Sequence, residues 1–127
     1  MATAITRGVR VDVHSIFVPE QSDPVLDRYV FAYRITITNH SDATVQLKRR
    51  HWIITDDSGT VREVEGEGVV GEQPILEPGE FHEYTSGAVL EAPTGRMRGT
   101  YEMHREDGAV FHVEIPEFEL VMPRTLH

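Results

Sequence analysis

Three glycines with the spacing of a phosphate-binding loop form the sharpest chemical pattern in the sequence. The segment Gly66-Glu67-Gly68-Val69-Val70-Gly71 has the form G-x-G-x-x-G. In a dinucleotide site, such glycines bring backbone N–H groups and the N-terminus of a helix against a pyrophosphate. Pro74, Pro78 and Gly79 follow closely and leave no room for that helix. The motif therefore lacks the strand–turn–helix context in which it would bind a dinucleotide.

Acidic side chains flank the same glycines. Glu65, Glu67 and Glu72 would repel a phosphate, so we expect neither a nucleotide nor any other cofactor. The favoured interpretation is a loop between two sheets whose shape requires glycine. The alternative is a nucleotide or pyrophosphate site in which these glutamates hold a divalent ion.

Apolar residues are unusually frequent in this irregular segment. Val69, Val70, Ile75 and Leu76 would pack against the end of the domain if the loop is purely structural. If some of them are exposed, they form the kind of apolar patch that marks a partner site. The candidate partner or anion loop comprises Gly66, Gly68, Val69, Val70 and Gly71.

Histidine and glutamate pairs raise the question of a metal site. Glu102 with His104, and His112 with Glu114, each share one face if these segments are strands. An Asp107-Gly108 turn would bring the two pairs together. No histidines have the spacing of a helical H-x-x-x-H site and the chain has no cysteine, so we assign no metal ligands. A four-ligand site from these pairs is the alternative to a solvated surface cluster.

Nucleophilic catalysis has no supporting pattern. Ser86 lies in Tyr84-Thr85-Ser86-Gly87, which lacks the G-x-S-x-G elbow and the helix that completes it. We therefore expect no catalytic residue and no enzyme.

Alternating hydrophobic residues predict β-strands along most of the chain. Aromatic and β-branched residues occupy every second position from Tyr29 to Ile37, as in a strand with one buried face. Turn residues such as Pro78-Gly79 and Asp107-Gly108 separate such runs. The pattern predicts an all-β sandwich of seven to eight strands, in a single domain over residues 1–127 with a core at about 9–121 and flexible ends.

Two breaks in the alternation predict irregular strands. Near His14-Ser15 the hydrophobic positions shift to Ile16 and Val18, which indicates a β-bulge or bend. A second shift separates Leu47 from Trp52. The large side chains predicted to lie in the core rather than in a binding site are Trp52, Met97, Tyr101 and Met103.

The charge balance and the absence of long apolar runs argue against nucleic acid binding and membrane insertion. Asp and Glu outnumber Lys and Arg by 21 to 12, for a net charge of -9, which makes nucleic acid a poor partner. The basic run Lys48-Arg49-Arg50-His51 alternates between two faces as a strand and forms no continuous patch. Because no apolar run is long enough for membrane insertion and no secretory signal begins the chain, we expect a cytoplasmic protein.

Several ordered motifs resemble the bacterial ApaG (CorD) family. They are RYVFAY (28–33), RHWIIT (50–55), GEGVVGEQP (66–74), PGE (78–80), YTSG (84–87) and GRMRGTYEM (95–103). The resemblance extends from about Val11 to Leu120 and implies a fibronectin type III-like or immunoglobulin-like sandwich. It also implies an association with cobalt resistance and magnesium efflux, and no established catalytic residues. ApaG-like domains in larger eukaryotic chains occur in settings of partner recognition, which favours a binding role by analogy.

The sequence therefore predicts a module that binds an unidentified protein partner. Binding would use residues 65–79, or strand addition at an exposed sheet edge. The alternatives are nucleotide, pyrophosphate or divalent-metal binding through the glycine-rich loop, and metal binding through the histidine–glutamate pairs.

Overall fold

Two antiparallel β-sheets packed face to face make up the computed structural model, which describes residues 1–123. The strands are β1 (Ala2–Thr6), β2 (Val9–Phe17), β3 (Tyr29–Asn39), β4 (Val45–Asp56), β5 (Val61–Glu67), β6 (Ile75–Leu76), β7 (Phe81–Leu90), β8 (Thr94–Arg105) and β9 (Val110–Val121). The first sheet has the order β1-β2-β3-β7 and the second β5-β4-β8-β9, with β6 also paired to β4. The predicted all-β sandwich is confirmed, with nine strands in place of seven or eight.

The additional strands lie where hydrophobic alternation is weakest. β1 falls in the predicted N-terminal end and pairs with β2 along its whole length. β6 contains only Ile75 and Leu76 and pairs with the start of β4. The described helices are two short 3-10 turns, Pro19–Gln21 and Pro24–Leu26, between β2 and β3. Within residues 1–123, no helix has the length and apolar character needed to span a bilayer.

Aromatic side chains fill the space between the sheets. Trp52 is buried and makes edge-to-face contacts with Tyr33, Tyr101 and Phe118 at ring-centroid distances of 5.5, 6.5 and 6.0 Å. Such pairs add about 0.5–1.5 kcal/mol beyond their buried area. The prediction that Trp52, Met97, Tyr101 and Met103 belong to the core is confirmed.

The break predicted near His14-Ser15 is wrong. β2 pairs with β3 in unbroken register, and Ile16 stays on the exposed face. Ser15 occupies the position expected for an apolar residue because its hydroxyl donates to the carbonyl oxygen of Glu119 in β9, at 3.0 Å. A polar side chain with a backbone acceptor can thus continue the inward face of the strand.

The second predicted break is confirmed and a further one occurs near the end of the chain. The pairing of β4 with β8 shifts between Leu47 and Arg49, which moves Trp52 onto the buried face. The pairing of β8 with β9 shifts between Met97 and Gly99, opposite the segment that contains Pro116. A proline is tolerated there because a bulge needs no ladder hydrogen bond from its nitrogen.

Asp56 organises the turn between β4 and β5. Its Oδ1 accepts the backbone N–H of Ser58 at 2.9 Å, and its Oδ2 accepts the N–H of Glu91 at 3.1 Å. Burial alone would raise the pKa of Asp56, but the hydrogen bonds from the Ser58 hydroxyl and from the N–H groups of Glu91, Ser58 and Thr60 outweigh it and lower the pKa. The charged form of Asp56 therefore stabilises the folded state.

Replacing Asp56 by asparagine is expected to lower the free energy of unfolding at neutral pH by about 1–3 kcal/mol. Because the folded-state pKa is below the unfolded value of about 3.9, this stabilisation is present above the unfolded pKa. It is lost as the pH falls through the folded pKa. Urea unfolding at a series of pH values should show D56N and the native protein converging in acid. Asp42→Asn, at an exposed turn, is the charge control. A difference that stays constant into acid would contradict the role of the charge.

Candidate functional site

The glycine-rich segment lies within one sheet, so the predicted loop between two sheets is wrong. Gly66 belongs to β5 and pairs with Arg50 of β4. Ile75, where β6 begins, pairs with the same strand β4. The chain crosses to the other sheet only at Pro78-Gly79, where Glu80 donates to the Glu77 carbonyl at 2.9 Å and Gly79 has the positive φ of a type II turn. A strand thus follows the motif where a dinucleotide site would need a helix.

A tight turn presents Val70 at the tip of this segment. Val69 and Glu72 exchange both backbone hydrogen bonds, at 2.8 and 3.1 Å. The two residues between them have φ values of 49° for Val70 and 78° for Gly71, as a type I′ hairpin turn requires. A β-branched residue is strained in this left-handed region, by about 1–3 kcal/mol. Val70 is therefore held in an unfavourable backbone conformation.

The apolar residues of the segment divide between core and surface. Val69 is 1% exposed and Leu76 is 3% exposed, whereas Val70 is 64% and Ile75 is 61% exposed. The arrangement considered from the sequence in which some of the four are exposed therefore holds, with Val70 and Ile75 as the exposed residues. Val69 belongs to the hydrophobic core, so a polar residue there would test stability and not binding.

Gly66 and Gly68 lie at close approaches within the protein, Gly66 to a side chain and Gly68 to the backbone. The Nη1 of Arg50 donates to the carbonyl oxygens of Glu67 and Gly68, at 3.0 Å each. A Cβ on Gly66 would lie 2.8 Å from this guanidinium, and a Cβ on Gly68 would lie 2.3 Å from the carbonyl oxygen of Glu72. The spacing of the glycines thus follows from packing against Arg50 and from the turn.

A cleft of about 340 Å³ opens between β5 of one sheet and β7 of the other. The apolar residues that line it include Trp52, Ile54, Val64, Val69, Val70 and Met97. The polar residues that line it are Arg50, Tyr33, Tyr84 and Ser86. At the open side of the sandwich, Arg62 of β5 donates from Nη2 to the carbonyl oxygen of Val89 in β7, at 2.6 Å.

Tyrosine hydroxyls and one cation meet at this cleft. The hydroxyls of Tyr84 and Tyr101 share a hydrogen bond. Burial raises the pKa of Tyr33, Tyr84 and Tyr101, while the positive charge of Arg50 acts in the opposite direction on all three. The hydroxyls are therefore neutral hydrogen-bonding groups near a guanidinium. Ser86, considered above as a nucleophile, is the residue of β7 that pairs directly with Tyr33 of β3.

The histidine–glutamate pairs lie on the β8–β9 hairpin, which confirms the predicted Asp107-Gly108 turn. Glu102 pairs directly with His112, and its Oε2 is 2.9 Å from Nε2 of His104. The hydrogen bond from His104 lowers the pKa of Glu102. Glu114 lies opposite Thr100 instead. Over residues 1–123, no three His, Asp or Glu side chains are grouped so as to hold a metal ion.

Sequence reasoning missed Arg50 and the tyrosines as site residues. A signal existed for Arg50, because it has the same strand parity as Trp52 and Ile54, which face the core. For Tyr33 and Tyr84 no local signal distinguishes a cleft wall from an ordinary core position, since both lie on inward strand positions.

Comparison with known proteins finds one family along most of the chain. A family model described as "ApaG domain" matches residues 19–105. Protein ApaG of Nitrosospira multiformis is 56% identical over 127 residues, covering 100% of both chains. Protein ApaG of Aromatoleum aromaticum is 57% identical over 120 residues, covering 93% of this chain and 94% of that one.

Solved structures agree with this match. A crystal structure described as an ApaA protein of Bordetella pertussis superposes with a TM-score of 0.89 at 55% identity, covering 92% of this chain and 95% of that one. The C-terminal domain of Wzt has a TM-score of 0.56 at 7% identity, covering 98% of this chain and 79% of that one, and so shares the fold alone.

Proposed function

The chain belongs to the ApaG domain family, and we propose that it is a binding module for an extended segment of a protein partner. The observation that carries this proposal is Val70, a strained residue whose side chain is exposed at the tip of a turn. Strained backbone is concentrated at functional sites, where it is retained for what the side chain does. An exposed valine adds nothing to the core, so contact with a partner is the use that its position supports.

The edge strand next to this turn suits strand addition. β5 is exposed along most of its length, and its described pairing is with β4 alone. Unpaired backbone groups on such an edge can hydrogen-bond to an incoming strand. Val64 and Ile75 are also exposed and lie on either side of the turn in the chain. The incoming segment would cover this apolar surface while pairing with β5.

The charge around this surface specifies the chemistry of the partner. Glu63, Glu65 and Glu67 alternate along β5, and Glu72 closes the turn. Electrostatic complementarity then favours a partner segment in which apolar residues are flanked by lysine or arginine. The link to cobalt resistance and magnesium efflux that the family resemblance implies would act through such a partner. A single domain over residues 1–127 and a cytoplasmic location remain predictions.

Replacing Val70 by asparagine is expected to separate stability from binding. Asparagine tolerates the left-handed conformation, so V70N should raise the free energy of unfolding by about 1 kcal/mol. Loss of the apolar contact should weaken partner binding about tenfold or more. Val25→Asn is the matched control, because Val25 is likewise exposed but lies in the connection between β2 and β3.

The binding probe comes from a randomised peptide library displayed on phage and selected on the native domain. We expect enrichment of peptides with an apolar centre and basic flanks. An enriched peptide, synthesised and titrated by amide NMR, should shift resonances of β5 and residues 69–72, bind V70N more weakly, and bind V25N as it binds the native domain. No enrichment, shifts confined to other strands, or equal affinity for V70N would refute the proposal.

A further inference from the structure

Arg50 is a half-buried cation without a carboxylate partner in the described chain. The sequence contains 21 Asp and Glu residues, yet no ion pair within residues 1–123 includes Arg50. Its Nη1 donates to two backbone carbonyls, and neither Nε nor Nη2 has a hydrogen-bond partner in this part of the chain. Because these remaining N–H groups have no protein acceptor there, this guanidinium can accommodate an anion.

The cleft beside Arg50 combines apolar walls with a few convergent polar groups. Val64 and Val70 supply exposed apolar surface, and the buried Trp52 and Ile54 also line the cleft. Tyr33, Tyr84 and Ser86 contribute hydroxyls. Its volume of about 340 Å³ is at the lower end of the range for small-molecule sites, about 300–1,000 Å³. This combination of a largely apolar lining with a few fixed polar groups is typical of a pocket for an organic ligand.

We propose that the cleft between β5 and β7 binds a small organic carboxylate with a flat apolar body. The carboxylate would pair with the free N–H groups of Arg50, whose planar fork matches two carboxylate oxygens. The body would lie against Trp52, and the hydroxyls of Tyr33 and Ser86 would accept or donate the remaining hydrogen bonds. The positive charge of Arg50 disfavours a cationic ligand in the cleft. This site goes beyond the proposed binding of a protein segment and does not depend on it.

Trp52 makes the proposal directly measurable, because it is the single tryptophan of the chain and lines the cleft. Benzoate is the probe, titrated while tryptophan fluorescence is excited at the red edge of its absorption. We expect a saturable change in the millimolar range or tighter. Benzamide keeps the ring without the charge, and acetate keeps the charge without the ring. Each should bind at least about tenfold more weakly at matched ionic strength.

Variants then assign the binding to the cleft. Arg50→Gln should weaken benzoate binding by about tenfold or more, and Tyr33→Phe by about threefold. Arg34→Gln removes an exposed arginine of β3 and should leave binding unchanged. If R50Q fails to fold, two measurements still test the proposal. They are the comparison of benzoate with benzamide on the native protein and the affinity of the Y33F variant for benzoate. A non-saturable change, equal binding of benzamide, or full affinity in both R50Q and Y33F would overturn the proposal.

Discussion

Replacing Gly99 by alanine is expected to lower the free energy of unfolding by about 3 kcal/mol, because the sheet has no room for a methyl group there. Gly99 lies in β8 opposite Trp52, beside the register shift that begins at Met97. A Cβ on Gly99 would lie 2.0 Å from the carbonyl oxygen of His51. This oxygen belongs to the backbone of β4, so relief requires movement of a central strand. Urea unfolding monitored by the fluorescence of Trp52 measures the effect.

Gly87→Ala is the matched control for this substitution. Gly87 lies in the edge strand β7, and a Cβ there would meet the carbonyl oxygen of Phe31 at 3.2 Å. An edge strand can shift by a few tenths of an ångström, so we expect G87A to change stability by less than about 1 kcal/mol. If G99A proves as stable as G87A, the close approach of β4 and β8 at Trp52 is wrong.

Hydrophobic alternation is sufficient to predict a strand when one face of that strand packs against the core. In β3 the alternate positions from Tyr29 to Ile37 that the pattern selects are all buried, and Val30, which the pattern does not select, is buried as well. β1 has no such pattern, because its bulky residue Ile5 points to solvent. Its pairing with β2 supplies hydrogen bonds that no local periodicity reports. Strands formed through an edge, without a buried hydrophobic face, are therefore invisible to this reasoning.

The glycine motif shows a second limit of prediction from sequence. The structural role of each glycine depends on contacts with residues that are distant in sequence. Nothing local reveals that Gly66 lies opposite Arg50 and leaves space for a guanidinium. Val69 is buried and Val70 is exposed because Val70 lies at the tip of the tight turn, which reverses the direction of the chain. The segment is distinctive in the sequence, but its register in the sheet decides which of its residues are buried and which are exposed.

Replacing Asn39 by aspartate is expected to lower the free energy of unfolding at neutral pH by about 4 kcal/mol. Asn39 is 0% exposed at the end of β3. Its Nδ2 donates to the carbonyl oxygens of Ala43 at 2.8 Å and Leu76 at 2.9 Å. Its Oδ1 accepts the backbone N–H of Ser41 at 3.0 Å. Aspartate would place a charged oxygen against two carbonyl oxygens that now receive N–H groups.

The pH dependence identifies charge as the cause of the loss. Burial and the carbonyl oxygens disfavour the ionised form, so the folded-state pKa of the new carboxyl should lie above its unfolded value of about 3.9. The loss relative to the native protein should then be smallest below the unfolded pKa. It should grow as the pH rises from the unfolded to the folded pKa and stay constant above it. Urea unfolding of both proteins across this range measures the difference.

Asn39→Ala separates the charge from the lost hydrogen bonds. It leaves the carbonyl oxygens of Ala43 and Leu76 without the donor that now satisfies them, but it introduces no titrating group. We expect N39A to lose about 2 kcal/mol, independently of pH. An N39D curve parallel to that of N39A would mean that water reaches the carboxyl and that the junction of β3 with β6 is open. A curve that approaches the native one only in acid means that Asn39 holds these two strands together in a dry environment, where an amide is accepted and a carboxylate is not.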